Sequence, residues 1–301
     1  MWQQYIQQIR QGDEKALARC ISLVENEVNG YEMLMQLLPP SATPVIGITG
    51  PPGAGKSTLV DALIEKLVDE KKKVGVICVD PSSPFNLGAL LGDRIRMSEW
   101  YNHPLVFIRS LATRGSLGGL HPKIIEISDL MKAGGFDYIL IETVGVGQSE
   151  IEIAGLADIT IVTVVPEAGD EIQTMKAGLM EIADIFVVNK SDRAGADMFV
   201  KNLRMMLTPA SRTGVQSIPI IKTTASKKEG LDELLKALRE NMHAQKSASG
   251  NTEKHHWLLA EKAFHLIQQK RMAGVNKAEL KNNIEQAGIN FNLYTFIQNY
   301  L

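Results

Sequence analysis

The sequence predicts an α/β fold of the P-loop NTPase kind, with a mainly parallel central sheet and helical N- and C-terminal extensions. Two observations carry this. The run Gly50-Pro51-Pro52-Gly53-Ala54-Gly55-Lys56-Ser57 fits the phosphate-binding pattern G-x-x-x-x-G-K-[ST], and it lies between an apolar strand and an amphipathic helix. From Val45 to about residue 243, apolar runs alternate with helical stretches, the pattern of a parallel sheet covered on both faces.

Taken in order, residues 1–40 form a helical N-terminal extension. Ile6, Ile9, Ala16, Leu17, Ile21, Leu23 and Val24 recur at helical intervals, and Pro39-Pro40 ends the segment. Residues 41–245 form the P-loop domain. Its strands are predicted at Val45–Thr49, Val74–Val79, Leu105–Arg109, Tyr138–Glu142, Ile159–Val164, Ile185–Asn189 and Ile218–Ile221. The helix after the phosphate loop starts near Lys56 and shows Leu59, Val60, Leu63, Ile64 and Leu67 on one face. Lys246 to Asn251 read as a polar linker of small residues. Residues 252–301 then read as two or three helices, with Leu259, Ala263, Leu266 and Ile267 forming a stripe that is either core or a dimer face.

The chain has 301 residues, 45% of them hydrophobic, enough to bury one large core with helical appendages. A formal charge of −2 supplies no basic face for nucleic acid. The first residues lack the basic start and apolar stretch of a secretory signal. No uncharged apolar run reaches the roughly 18 residues of a membrane span. A cytoplasmic protein with no membrane contact is expected. Cys20 and Cys78 are far apart and have no C-x-x-C spacing, which fits reduced thiols packed in the core.

The chemistry concentrates at the ends of predicted strands. In the phosphate loop, Gly50, Gly53, Ala54 and Gly55 let backbone N–H groups wrap an anion at a helix N-terminus. Lys56 reaches the outer phosphates, Ser57 offers a hydroxyl to Mg²⁺, and Thr58 completes the candidate nucleotide-binding set. Asn189-Lys190-Ser191-Asp192 follows an apolar strand and matches the guanine-reading pattern NKxD. The Asp192 carboxylate can accept from both N1–H and the exocyclic amine of guanine, a donor pair that adenine lacks. GTP is therefore favoured over ATP. Ala225 and Ser226, after the next strand, stand where a backbone N–H can meet guanine O6. Asp80 and Glu142 end strands and Asp93 lies in a loop; together with Ser57 they are candidate Mg²⁺ ligands, some acting through water. With Lys56 they form the candidate catalytic set. Gly145 and Gly147 supply the mobile backbone of a γ-phosphate sensor. Gln148 either orients the attacking water or simply faces solvent.

These residues resemble a known family. GPPGAGKST, VDPSSP at 79–84, LGDRIRM at 91–97, ATRGSLGGL at 112–120, ETVGVGQSE at 142–150, PEAGDEIQ at 166–173 and NKSD together look like the MeaB/ArgK group of P-loop GTPases, over nearly the whole chain. The resemblance implies a GTPase that binds an adenosylcobalamin-dependent acyl-CoA mutase, typically methylmalonyl-CoA mutase, gates its cofactor loading and protects it from inactivation. It implies phosphate and Mg²⁺ roles for Lys56, Ser57, Asp80, Asp93 and Glu142, and base-reading roles for Asn189, Lys190 and Asp192. It also implies a switch loop over about Val165 to Lys176 that couples nucleotide state to the mutase. Residues 252–301 then become a helical dimerisation extension of a homodimer.

Two other readings stay open on the sequence. One is an arginine/ornithine transport-linked ATPase-kinase, against which NKSD argues. The other is a nickel-insertion maturation GTPase, for which His255-His256 is the sole adjacent histidine pair and has no cysteine nearby. Arg94, Arg96 and Arg114 are each candidates to neutralise transition-state charge, or else exposed arginines paired with carboxylates.

Overall fold

Runs rich in Val and Ile become strands here because both sheet faces are covered, so alternation gives way to continuous apolar segments. The structure, a computed structural model, describes residues 1–80, 97–113, 120–145, 149–168, 177–207, 218–245, 250–272, 274–287 and 296. Its strands are β1 (Val45–Thr49), β2 (Val74–Asp80), β3 (Val106–Ala112), β4 (Tyr138–Glu142), β5 (Ile159–Val164), β6 (Ile185–Val188) and β7 (Ile220–Lys222). All pair in parallel, in the order β3-β2-β4-β1-β5-β6-β7. Every residue of β1, β2, β5 and β6 is buried. The register sets Glu142 of β4 beside Ile48 of β1 on one side and Cys78 of β2 on the other. The carboxyl ends of three strands thereby meet at one edge, where ligands bind in such sheets.

Helices α1 (Trp2–Arg10), α2 (Glu14–Glu25) and α3 (Tyr31–Gln36) precede the sheet. They are followed by α4 (Lys56–Asp69), α5 (Ile124–Ala133), α6 (Ser149–Leu156), α7 (Ala177–Ile182), α8 (Ala196–Leu207) and α9 (Leu231–Gln245). On one face Leu59, Leu63 and Leu67 of α4 join Leu234 and Leu238 of α9 over Ile46, Ile48 and Val76. On the other, Leu179, Ile182, Phe199 and Leu203 cover Val162, Val164, Phe186 and Val188. Asp13 caps α2 by accepting from Lys15 N at 2.9 Å and Ala16 N at 3.0 Å. Helix α2 packs on α5, and Arg109 of edge strand β3 donates to Ser22 Oγ at 3.1 Å and pairs with Glu25 Oε2 at 2.5 Å.

The chain divides into two compact units, Met1–His255 and His256–Leu301. The first holds the sheet and α1 to α9. The second holds most of α10 (Gly250–Arg271) together with α11 (Lys277–Ala287). Helix α10 starts at Gly250, inside the predicted linker, of which residues 246–249 lie outside the described set. Its apolar stripe is not core: Leu259 is 39% and Ile267 53% exposed, alongside Trp257 at 72% and Phe264 at 65%. Among the described residues no helix is long and apolar enough to cross a membrane. Cys20 and Cys78 are both buried and neither forms a disulfide, and burial pushes the Cys20 thiol up to about 11.

Four strands differ from the sequence expectation: β2 ends one residue later, at Asp80, β6 ends one earlier, at Val188, and β3 and β7 shift for identifiable reasons. β3 begins one residue later than predicted and continues to Ala112, because Arg109 and Ser110, polar in sequence, still pair with Ile77 and Cys78. β7 starts after Pro219, whose ring nitrogen has no hydrogen to donate.

Candidate nucleotide-binding site

The phosphate loop leaves the buried end of β1 and closes on α4. Gly50, Gly53 and Gly55 have φ of +135°, +77° and +86°, a region side chains with Cβ rarely adopt. Gly55 is the N-cap of α4, and a Cβ there would stand 2.5 Å from Asn189 Nδ2. Lys56 curls back over the loop, donating to Gly50 O at 2.9 Å and Pro51 O at 3.1 Å. Ser57 donates to Glu142 Oε1 at 2.6 Å. Both residues line a cavity of about 440 Å³ with Thr58, Asp80, Glu142 and Lys190. Lys56, Ser57, Asp80 and Glu142 are all buried. A hydroxyl and two carboxylates are hard oxygen donors, the set that suits a small divalent cation retaining some of its waters. Thr143 Oγ1 donates to Thr49 Oγ1 at 2.9 Å, tying the ends of β4 and β1 beneath the loop.

Gly145 comes down directly on this group. Its φ is +82°, and an added Cβ would lie 2.3 Å from both Gly50 O and Lys56 Nζ. The segment after Glu142 therefore passes over the ammonium that would meet the outer phosphates.

The base side is organised by one buried amide. Asn189 Nδ2 donates to Ala54 O at 2.9 Å, while its Oδ1 accepts from Thr223 Oγ1 and Ala225 N, each at 3.1 Å. A single side chain thus locks the phosphate loop, the NKSD loop and the turn Ala225–Lys227 to one another. Lys190, at φ +54°, reaches across to Gly53 O at 2.7 Å. Asp192 is partly exposed and pairs with Lys227 Nζ at 2.9 Å. That hydrogen bond holds the Asp192 carboxyl below the usual range and raises the Lys227 ammonium. Ser226 is exposed on the same turn. One residue past Asp192, Arg193 pairs with Glu167 in the turn Pro166–Ala168, and the Arg193 hydrogen bond lowers the Glu167 carboxyl.

The structure thus gathers Lys56, Ser57, Asp80 and Glu142 around one cavity, and brings Asn189 and Lys190 against the phosphate loop, with Ala225 held to Asn189. Asp93, Arg94, Arg96, Arg114, Gly147, Gln148, Gly169, Asp170 and Glu171 lie outside the described residues, as does most of the Val165–Lys176 segment. Sequence reasoning overlooked Thr49, Thr143, Thr223 and Lys227. Thr143 follows Glu142 directly and Thr49 precedes the loop, so strand-end position could have flagged both. Thr223 and Lys227 carried no pattern of their own.

The chain is similar to proteins of a known family. The family described as "Methylmalonyl Co-A mutase-associated GTPase MeaB" matches residues 17–280. A Pyrococcus horikoshii protein named as a GTPase is 44% identical over 267 residues, 87% of this chain and 84% of its own length. The mouse "Methylmalonic aciduria type A homolog, mitochondrial" is 39% identical over 212 residues, 68% of this chain and 50% of that one. The crystal structure of an LAO/AO transport system kinase superposes with a TM-score of 0.69 at 27% identity, covering 99% of this chain and 95% of that one. A family match running from α2 into α11, through the phosphate loop, both strand-end carboxylates and NKSD, makes the chain a P-loop GTPase of the MeaB family.

Proposed function

We propose that this GTPase is the nucleotide-switched partner of an adenosylcobalamin-dependent acyl-CoA mutase of the methylmalonyl-CoA mutase type, gating its cofactor loading and protecting it from inactivation. The observation that carries the proposal is the family match over residues 17–280, because that family's description is its association with methylmalonyl-CoA mutase. The mouse relative, whose name refers to methylmalonic aciduria, points the same way. The transport reading, raised again by the name of the solved relative, calls for an ATP-using kinase, whereas the chain is a GTPase carrying NKSD.

In this reading Gly50, Gly53, Ala54, Gly55 and Thr58 wrap the phosphates with backbone N–H groups, and Lys56 neutralises their outer charge. Ser57, Asp80, Glu142 and Asp93 hold Mg²⁺. When bound, that ion would supply positive charge to offset what develops on the phosphates during hydrolysis. The Ser57 hydroxyl, already 2.6 Å from Glu142 Oε1, is preset toward that oxygen-rich pocket. Asn189, Lys190, Ala225 and Ser226 shape the base pocket, and Asp192 reads the guanine edge. Residues 252–301 supply a homodimer contact, and the protein works in the cytoplasm. The segment 165–176 passes nucleotide state to the mutase, starting from Glu167, which is tied to the base loop through Arg193.

GTP hydrolysis measured with and without the host's own cobalamin-dependent mutases tests the proposal. A mutase that raises the rate supports it. If none changes the rate or co-purifies in any nucleotide state, the partner assignment fails.

A further inference from the structure

We infer that Lys227 is a specificity-determining positioning residue: its ammonium holds the Asp192 carboxylate in the orientation that reads guanine. The inference rests on the reading of Asp192 as the guanine acceptor. Lys227 lies 35 positions from Asp192 in sequence, on the turn Ala225–Lys227, and its Nζ stands 2.9 Å from Asp192 Oδ2. That turn is itself fixed, because Ala225 N donates to the buried Asn189 Oδ1 at 3.1 Å and Lys227 N to Thr224 O at 2.8 Å. The ammonium is thus carried by a braced turn, while Asp192 follows Lys190 at φ +54° near the exposed end of its loop.

A carboxylate offers about four lone-pair sites, and bidentate recognition of guanine uses one on each oxygen. Lys227 takes one site on Oδ2 and the backbone N–H of Asp192 a second, leaving two of the four. The pair is therefore compatible with guanine binding and does not have to break. An unheld aspartate rotates about χ1 and χ2, so only a fraction of its conformers present both oxygens to the base. The charged groups acting on this pair are Arg193, beside Asp192, and Glu229, near Lys227. Arg193 is engaged by Glu167, which leaves Lys227 as the cation hydrogen-bonded to Asp192 among the described residues.

The test compares affinities for GTP, ITP and XTP, so that phosphate and Mg²⁺ contributions cancel in the ratios. ITP lacks the exocyclic amine, and XTP presents an acceptor in its place. Wild type that prefers GTP, with Asp192→Asn shifting preference toward XTP, establishes the base-reading role of Asp192. If wild type does not discriminate, that underlying reading falls. Given discrimination, Lys227→Met is expected to shrink the GTP/ITP ratio by about three- to tenfold, with Lys227→Arg restoring most of it. A role confined to holding the turn together would instead weaken all three nucleotides alike. An unchanged ratio in Lys227→Met, or tighter GTP binding there, overturns the inference, the latter by showing that Lys227 competes with the base.

Discussion

Lys56 donates to Gly50 O and Pro51 O and Asp192 pairs with Lys227, and in the proposed function the first serves the phosphates and the second the base. On the proposed assignment, Asp192→Ala removes a charge-assisted bidentate acceptor and leaves guanine donors without partners. GTP binding should weaken by about 2–4 kcal/mol while ATP binding hardly changes, as a labelled-nucleotide titration would show. The two thiols give a prediction independent of function. Cys20 is 0% and Cys78 1% exposed, and Cys20 resists ionisation, so native protein should react with a thiol reagent only as fast as it unfolds. Rapid labelling of either thiol without denaturant would contradict the packing described. At this scale the sequence made positions legible: GKS marks Lys56 and Ser57, which the structure sets in one cavity, and NKSD marks Asp192 beyond the end of β6. Asn189 was expected from its motif as a base contact. Its function as the bolt joining Ala54, Thr223 and Ala225 depends on residues 135 and 36 positions apart or less, which only the parallel sheet brings together.

Among elements, the segment after β4 and the cap of α2 make the sharpest predictions. Gly145→Ala would force a left-handed conformation costing about 1–2 kcal/mol and press a methyl group onto Lys56 Nζ and Gly50 O. Hydrolysis should fall at least tenfold with little loss of secondary structure; normal turnover would show that this segment withdraws from the phosphate loop during catalysis. Asp13→Ala removes both cap bonds of α2, and a thermal melt should show about 1 kcal/mol of destabilisation. Strand positions were readable because buried parallel strands are apolar throughout, so their ends came within a few residues. The failures mark where tertiary contact overrode local pattern. β3 runs past the expected end at Arg109 to Ala112, where Ser110, Leu111 and Ala112 pair with Cys78, Val79 and Asp80 of β2. Pro219 delays β7. Leu259 and Ile267 of the α10 stripe, amphipathic by spacing, are exposed among the described residues, and periodicity alone does not say whose surface an apolar face will meet.

At the scale of the molecule, one sheet edge joins the two ends of a nucleotide site, and Arg193 links the base loop to Glu167 at the start of the 165–176 segment. A GTPase that reports its nucleotide state to a mutase must contact that mutase differently in the two states, since equal contacts transmit nothing. The most direct measurement is the affinity of the host's adenosylcobalamin-dependent acyl-CoA mutase for this protein loaded with GDP and with a non-hydrolysable GTP analogue. The account predicts two dissociation constants differing at least fivefold, the coupling of about 1 kcal/mol that allosteric linkage typically begins at. Equal affinity in both states, or binding in neither, would contradict it.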